Sequence, residues 1–286
     1  MPMPPILRTK DPDAPSEFTA DGLLREARRQ KGIGDGPIPE VCLLDPDGDV
    51  VRWLRAHGRA EPEPNWACYH STMHRFALGG VTCGIVGCAV GAPYAVLVAE
   101  QMAASGARLV LSVTSAGQIA EAQQPPPYHV LIDRALRDEG TSYHYLPPGD
   151  VSAADPALVD MAGRALTAMD PPVLRGATWT TDAPFRETRA AIDAAHDHGV
   201  LAVEMEAAGL YAFARATGSP VLCFAHVTNQ MAQIEGDFEK GEGDGAAATL
   251  ALVERVVEAW VAASGVEGRK SVSSKRVRSN AYGQRR

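Results

Sequence analysis

The chain has 286 residues, 45% hydrophobic and 22% charged, which excludes a disordered or fibrous protein and is long enough to bury a sizeable core. The net charge of −8 is uneven: from Gly268 onward there are seven basic residues and no acidic one, leaving a body with 20 basic and 35 acidic residues. That acidic body speaks against nucleic acid as a partner, and the absence of a long apolar run speaks against a membrane span. The Pro-rich start "MPMPPILRTKDPDAP" has no signal-peptide core, so a cytoplasmic protein is expected. Five scattered cysteines (Cys42, Cys68, Cys83, Cys88, Cys223) form no CxxC pair, so reduced thiols and no metal are expected.

In chain order, "FTADGLLREARRQKG" reads as a short amphipathic helix, with Thr19 or Asp21 at its start and Gly32 at its end. It belongs to a peripheral extension over residues 1–39. "VCLLD" is a short strand and "DVVRWLRAHG" a helix; "VTCGIVG" is strand-like, and "APYAVLVAEQMAASG" is a helix closed by Gly106. "ARLVLSVTSAG" and "PYHVLIDRALRDEG" are strands, "PALVDMAGRALTAM" a helix, "PVLRGATWTTD" a strand and "RETRAAIDAAHDHG" a helix. Then "VLAVEMEAAGLYAFARATG" supplies a strand and a helix, "PVLCFAHVTN" a strand, and "GAAATLALVERVVEAWVAA" the last helix. Val-, Leu- and Ile-rich strands alternating with helices describe one α/β domain over residues 40–263 with a largely parallel sheet. Residues 264–286 form a basic tail expected to be disordered.

Ligands of such sheets lie beyond the carboxyl ends of the strands. Here those ends read "VTSAG", "TWTTDAPF", "VEMEAAG" and "AHVTNQ", polar enough to line one pocket. Glu204 and Glu206 flank Met205 where an apolar strand meets an apolar helix, a costly place for charge unless it is paired. A helix dipole accounts for one acid. A carboxylate at a strand end also accepts two hydrogen bonds from a vicinal diol, with a methionine as apolar wall. Trp179 is expected in the core and Phe185 in the pocket, where an aromatic face stacks on a planar base. "RALRDEGTSYHYLPP", with Tyr143 and Tyr145, is expected to pack on a neighbouring subunit or to wall a pocket. His226 and Asn229 end a buried strand, where they meet a base or, for His226, simply pack in the core.

Together "VEMEAAGLYAFA", "TTDAPFRET", "DRALRDEGTSYHYLPP" and, more loosely, "VGAPYAVLVAEQMAASGARLVLSVTSAG" resemble the nucleoside phosphorylase family, which includes uridine and purine nucleoside phosphorylases. The resemblance covers residues 40 to 263 and implies a three-layer α/β/α sandwich around a mixed, partly barrel-like sheet. It implies a homo-oligomer, from dimer to hexamer, and reversible cleavage of a nucleoside N-glycosidic bond without a cofactor, inorganic phosphate being co-substrate. It further implies that Glu206 holds the ribose 2′- and 3′-hydroxyls, that Met205 packs on the sugar, and that Phe185 and Arg186 lie against the base. Asn229 then contacts the base, with Glu204, Gln230, Ser115 and Gly117 completing the substrate site. Purine phosphorylases of the hexameric type carry an Asp at the position of Asn229 to protonate the leaving purine; an Asn cannot, which favours a pyrimidine or unusual base.

The family's phosphate site uses a Gly-rich turn with an Arg after the first strand, an Arg lent by a neighbouring subunit, and an Arg and Thr at the end of the strand matching "LVLSVTSAG". Here the turn reads "LLDPDGDVVRWL", with Asp45, Asp47 and Asp49 where an anion would sit. Ser112 and Ser115 are the candidates for phosphate at the strand end, and Arg75 or His70 for the cation lent by a neighbouring subunit, with Arg52 as a further alternative. Because an anion needs cations or dense N–H donors, two alternatives stay open: a nucleosidase in which water replaces phosphate, Asp45 or Glu206 orienting it, and a nucleoside-binding protein without chemistry.

Overall fold

The computed structural model describes residues 5–8, 10–120, 125–231 and 235–264. The elements in chain order are α1 (Pro5–Arg8), α2 (Ala20–Lys31), β1 (Val41–Asp45), α3 (Asp49–Ala56), β2 (Ala60–Pro62), β3 (Met73–Leu78), β4 (Val81–Gly87), α4 (Ala92–Ala104) and β5 (Leu109–Gln118). They continue with β6 (Tyr128–Asp138), β7 (Val151–Ala153), α5 (Pro156–Ala165), β8 (Leu174–Thr181), α6 (Arg189–Asp197), β9 (Val200–Glu204), α7 (Ala207–Thr217), β10 (Val221–Asn229) and α8 (Ala246–Ser264).

The strands form one mixed sheet in the order β2-β3-β4-β1-β5-β9-β8-β6-β10, with β7 on β6. A further parallel pairing of β10 with β5 closes β5, β9, β8, β6 and β10 into a barrel. β1 is buried at every position, as a strand covered on both faces must be. Helices α2, α4 and α7 pack on one side, α3, α5 and α8 on the other, and α6 lies on β9. This is the three-layer sandwich with a barrel-like sheet that the sequence implies. Among the described residues no helix is long and apolar enough to cross a membrane.

Most local expectations hold for the physical reason given. Thr19 caps α2 by accepting the Gly22 N–H at 3.1 Å, and Gly32 ends it in the left-handed region. The extension is not peripheral, however: Leu24 and Ala27 of α2 are buried against Ala67, and Lys31 donates to the carbonyls of Ala67 and Cys68. Strand β3, within "STMHRFAL", has no counterpart in the sequence reading. It pairs antiparallel with β4 through Gly79 and Gly80, both at positive φ, and a Gly-Gly pair between apolar runs is the hairpin signal that marks it. The basic tail lies outside the described residues beyond Ser264.

Two devices set α7, and with it the site. Tyr211, wholly buried, donates to the Ile132 carbonyl at 2.6 Å and accepts the Cys223 N–H at 2.9 Å, tying the helix to β6 and β10. Gly209 lets α7 approach α4 closely: a Cβ there would stand 2.8 Å from the Cβ of Ala92. The start of α4 is thereby brought against the start of α7.

Candidate active site

The register gathers the polar strand ends. Parallel pairing sets His226 beside Ser115 and Asn229 beside Gly117, and Thr180 beside Glu204. Antiparallel pairing of Gly117 with Val203 overlaps the C-terminal ends of β5 and β9, which carries Ser115 opposite Met205. The turns after β1 and β4 close on the same place, because Asp47 accepts the Ser115 N–H at 2.7 Å and Gly91 donates to Glu206 at 2.6 Å.

The two glutamates there have different employments. Glu204 ends β9 and accepts four hydrogen bonds: from the Thr178 and Thr180 hydroxyls, and from the Glu206 and Ala207 N–H groups, each at 2.7 Å. Two of these donors belong to the first residues of α7, so Glu204 caps that helix from the preceding strand. All its capacity is used inside the chain, which corrects its expected role in substrate binding. Glu206 accepts the Gly91 N–H on Oε1 at 2.6 Å, and its Oε2 has the Met205 N–H at 3.3 Å. The Thr114 hydroxyl also donates toward it.

Burial raises both carboxyls, and Glu204 stays above its ordinary value although its four donors oppose this. Glu206 is pushed up to about 8, by burial first and then by the charge of Glu204. The pair thus consists of one carboxyl held by four donors and a neighbour, pushed up to about 8, that is held by fewer. Met205, half-buried between them, borders the same space.

The turn after β1 holds the other acids. Asp45 accepts the Val51 N–H at 2.8 Å and so caps α3; burial, with Asp47 and Asp49 nearby, pushes it to about 7. Lys240, from the segment between β10 and α8, stands 2.5 Å from Asp49 Oδ2 and 3.7 Å from Asp47 Oδ1. Burial pulls its ammonium down, but Asp49 and Asp47 more than offset this and hold it above its ordinary value. Arg52 pairs with Asp49 and donates to the Asp47 carbonyl.

The other expected site residues divide. Ser115 and Gly117 lie in the cluster, and a Cβ on Gly117 would stand 2.6 Å from Met231 Sδ and 3.4 Å from Asn229 Oδ1. Asn229 borders this space, although its Oδ1 accepts the Met231 N–H at 2.9 Å and its Nδ2 donates to Thr228. Gln230 is exposed, with its backbone N–H on Asp237.

Four residues fall elsewhere. Ser112 is mid-strand and wholly buried, because β5 runs on to Gln118. Arg75, expected as a cation lent to a neighbouring subunit, pairs with Glu61 at 2.8 Å and stands level with Gly84 and Cys42, away from this chain's own site. Phe185 is 99% exposed: Pro184–Arg186 form a 3-10 turn that points the ring outward, and Arg186 is exposed beside it.

The "DEGTSYHYLPP" loop is anchored from within the chain, with His144, Pro147 and Pro148 left exposed. Arg137, buried, donates to Ser142 and to the Pro147 and Leu146 carbonyls, and lies over the Tyr143 ring. Tyr145 reaches Glu100 at 2.9 Å and packs edge-on against Phe213. Trp179 is in the core with its N–H on Asp138 at 3.0 Å.

His226 takes the core role. It stacks on His129 with ring centroids 4.6 Å apart, and burial pushes it down to about 4 and His129 to about 3, so both are neutral. Gly245 seals this pair: at φ +77°, a Cβ would stand 2.2 Å from His226 Cε1 and 2.7 Å from the Lys240 carbonyl. Gly245→Ala should therefore cost about 2–4 kcal/mol, overpacking and left-handed strain together. An unchanged urea midpoint for this variant would refute that packing.

The sequence reading missed Lys240, Thr114, Thr180 and Met231. A lone lysine in the acidic stretch "DFEKGEGDG", directly after a polar strand end, was the available signal for the first. Thr114 and Thr180 lay inside marked strand ends without being singled out. Among the described residues no three His, Cys, Asp or Glu side chains are placed to hold a metal ion.

A sequence profile described as the phosphorylase superfamily matches residues 40–258. No curated protein sequence matches. A uridine phosphorylase from Vibrio fischeri, solved with 6-hydroxy-1-naphthoic acid, is similar in structure with a TM-score of 0.65 at 18% identity, over 82% of this chain and 93% of that one. A purine nucleoside phosphorylase from Toxoplasma gondii, in complex with immucillin-H, has a TM-score of 0.64 at 15% identity, over 79% of this chain and 90% of that one.

Proposed function

Since this chain belongs to the phosphorylase superfamily, we propose that it is an enzyme that cleaves the N-glycosidic bond of a nucleoside and passes the pentosyl group to phosphate. The observation that carries this is Glu206: a buried carboxyl at the meeting of β5, β9 and α4, with one oxygen lacking a short hydrogen bond. It would accept the 2′- and 3′-hydroxyls of a ribose, with Met205 against the sugar. As the C1′–N bond breaks its electron pair leaves with the base, and an acceptor oxygen bonds to C1′. The sugar between is oxocarbenium-like and gains from nearby negative charge, that of the Glu206 carboxylate above all. Asn229 borders the base side, and an amide does not protonate a purine, so a pyrimidine or unusual base is the substrate class. We expect the working protein to be a homo-oligomer.

Transfer to water is favoured by one specific observation, the Asp47 carboxylate lying on the Ser115 N–H. A product assay on a nucleoside panel, with phosphate removed and then restored, separates the two. Pentose 1-phosphate formed only with phosphate supports phosphorolysis; free pentose at an unchanged rate without phosphate supports hydrolysis. Absence of both products across the panel would overturn the enzymatic proposal.

A further inference from the structure

Asp47 is not needed to cap the helix that follows it. The cap of α3 is made by Asp45, and Gly48, at the N-cap position, turns the chain. Yet the Asp47 side chain folds back from the turn onto β5, where Oδ2 takes the Ser115 N–H while Oδ1 faces the Lys240 ammonium. Its charge is close enough to raise both Glu206 and His226. A backbone N–H and an ammonium beside Glu206 are what an anionic acceptor would need, and in this chain a carboxylate of the protein already holds both.

We propose that Asp47 selects the acceptor: it is an internal anion that competes with phosphate for the Ser115 N–H and Lys240, and must swing away before phosphate can bind. This rests on the reading that an acceptor approaches the sugar beside Glu206. While Asp47 is seated only a neutral acceptor, water, can share the space, because a second anion would meet it at contact distance. Lys240 is shared with Asp49, so on release of Asp47 it is still held near the seat.

The test is calorimetric titration of inorganic phosphate into the full-length protein without nucleoside, at fixed ionic strength. Asp47→Ala should bind phosphate about tenfold or more tightly than the unaltered protein, and Asp47→Asn, which removes charge but keeps shape, should fall between them. Lys240→Ala added to Asp47→Ala should abolish the gain. Equal phosphate affinity in the unaltered protein and both single variants would overturn the proposal, as would no binding in any of them. If Asp47→Ala fails to fold, Asp47→Asn decides alone. Because the readout is phosphate binding, a failure of the nucleoside-cleavage assay leaves it intact, and the reverse also holds.

Discussion

Glu206→Gln is expected to lower kcat/KM for nucleoside cleavage by about a hundredfold or more while the protein stays folded. A hydrogen bond to a charged acceptor contributes about 1.5–3 kcal/mol, and a ribose diol makes two to one carboxylate. The amide retains one acceptor oxygen for the Gly91 N–H, so the junction of α4 and α7 persists. Stability should change little, because the carboxyl it replaces is held against its own ionisation. In the unfolded chain Glu206 ionises near 4.5, whereas in the fold it keeps its proton to about 8. The native state therefore binds the extra proton between those values, so this stabilising contribution is complete below 4.5 and lost as pH rises through 8. Diol hydroxyls favour the ionised form, so nucleoside binding should expel that proton. Affinity should then climb with pH towards about 8 and level off above it, and Glu206→Gln should flatten the profile. Unchanged nucleoside affinity and turnover in the variant would sink the assignment.

What was legible in the sequence depended on how local its cause was. The helices announced themselves by period and caps, as at Thr19, where side chain and backbone satisfy one another within a turn. The polar strand ends were legible too, because a parallel sheet leaves no other place for "VTSAG" and "VEMEAAG" to go. Residue roles depended instead on register and on distant partners. That Ser112 is mid-strand follows from six further residues of β5 pairing with β10 and β9 beyond the first polar position. The position of Arg75 followed from a hairpin that the sequence reading did not see. Lys240 reaches Asp47 and Asp49 from nearly the other end of the chain, a pairing for which spacing gives no signal. Phe185 was assigned by its aromatic type and by the resemblance of its loop, neither of which says which way a 3-10 turn will point the ring.

The Glu-Met-Glu run looked like a doubled ligand, yet only its second acid retains free capacity, and Glu204→Gln tests this. Glu204 meets nothing but donors: two threonine hydroxyls from alternate positions of β8, and two backbone N–H groups at the start of α7. Thr180 is committed in turn, accepting the Ala208 N–H at 2.9 Å. A glutamine would point an NH2 group at two of these donors, leaving buried groups unpaired at about 1–3 kcal/mol each and removing the charge that α7 and the hydroxyls are arranged around. We expect a loss of about 3–5 kcal/mol in urea unfolding, the midpoint falling with the slope unchanged. In a domain of this size that corresponds to a drop in Tm of roughly 10 °C. Were Glu204 a substrate ligand, the same variant would keep its stability and lose only nucleoside affinity, because the groups around it would have water or sugar as alternative partners. Inside the closed junction of β8, β9 and α7 they have none. Glu204, by holding the first N–H groups of α7, fixes the place from which Glu206 faces its ligand.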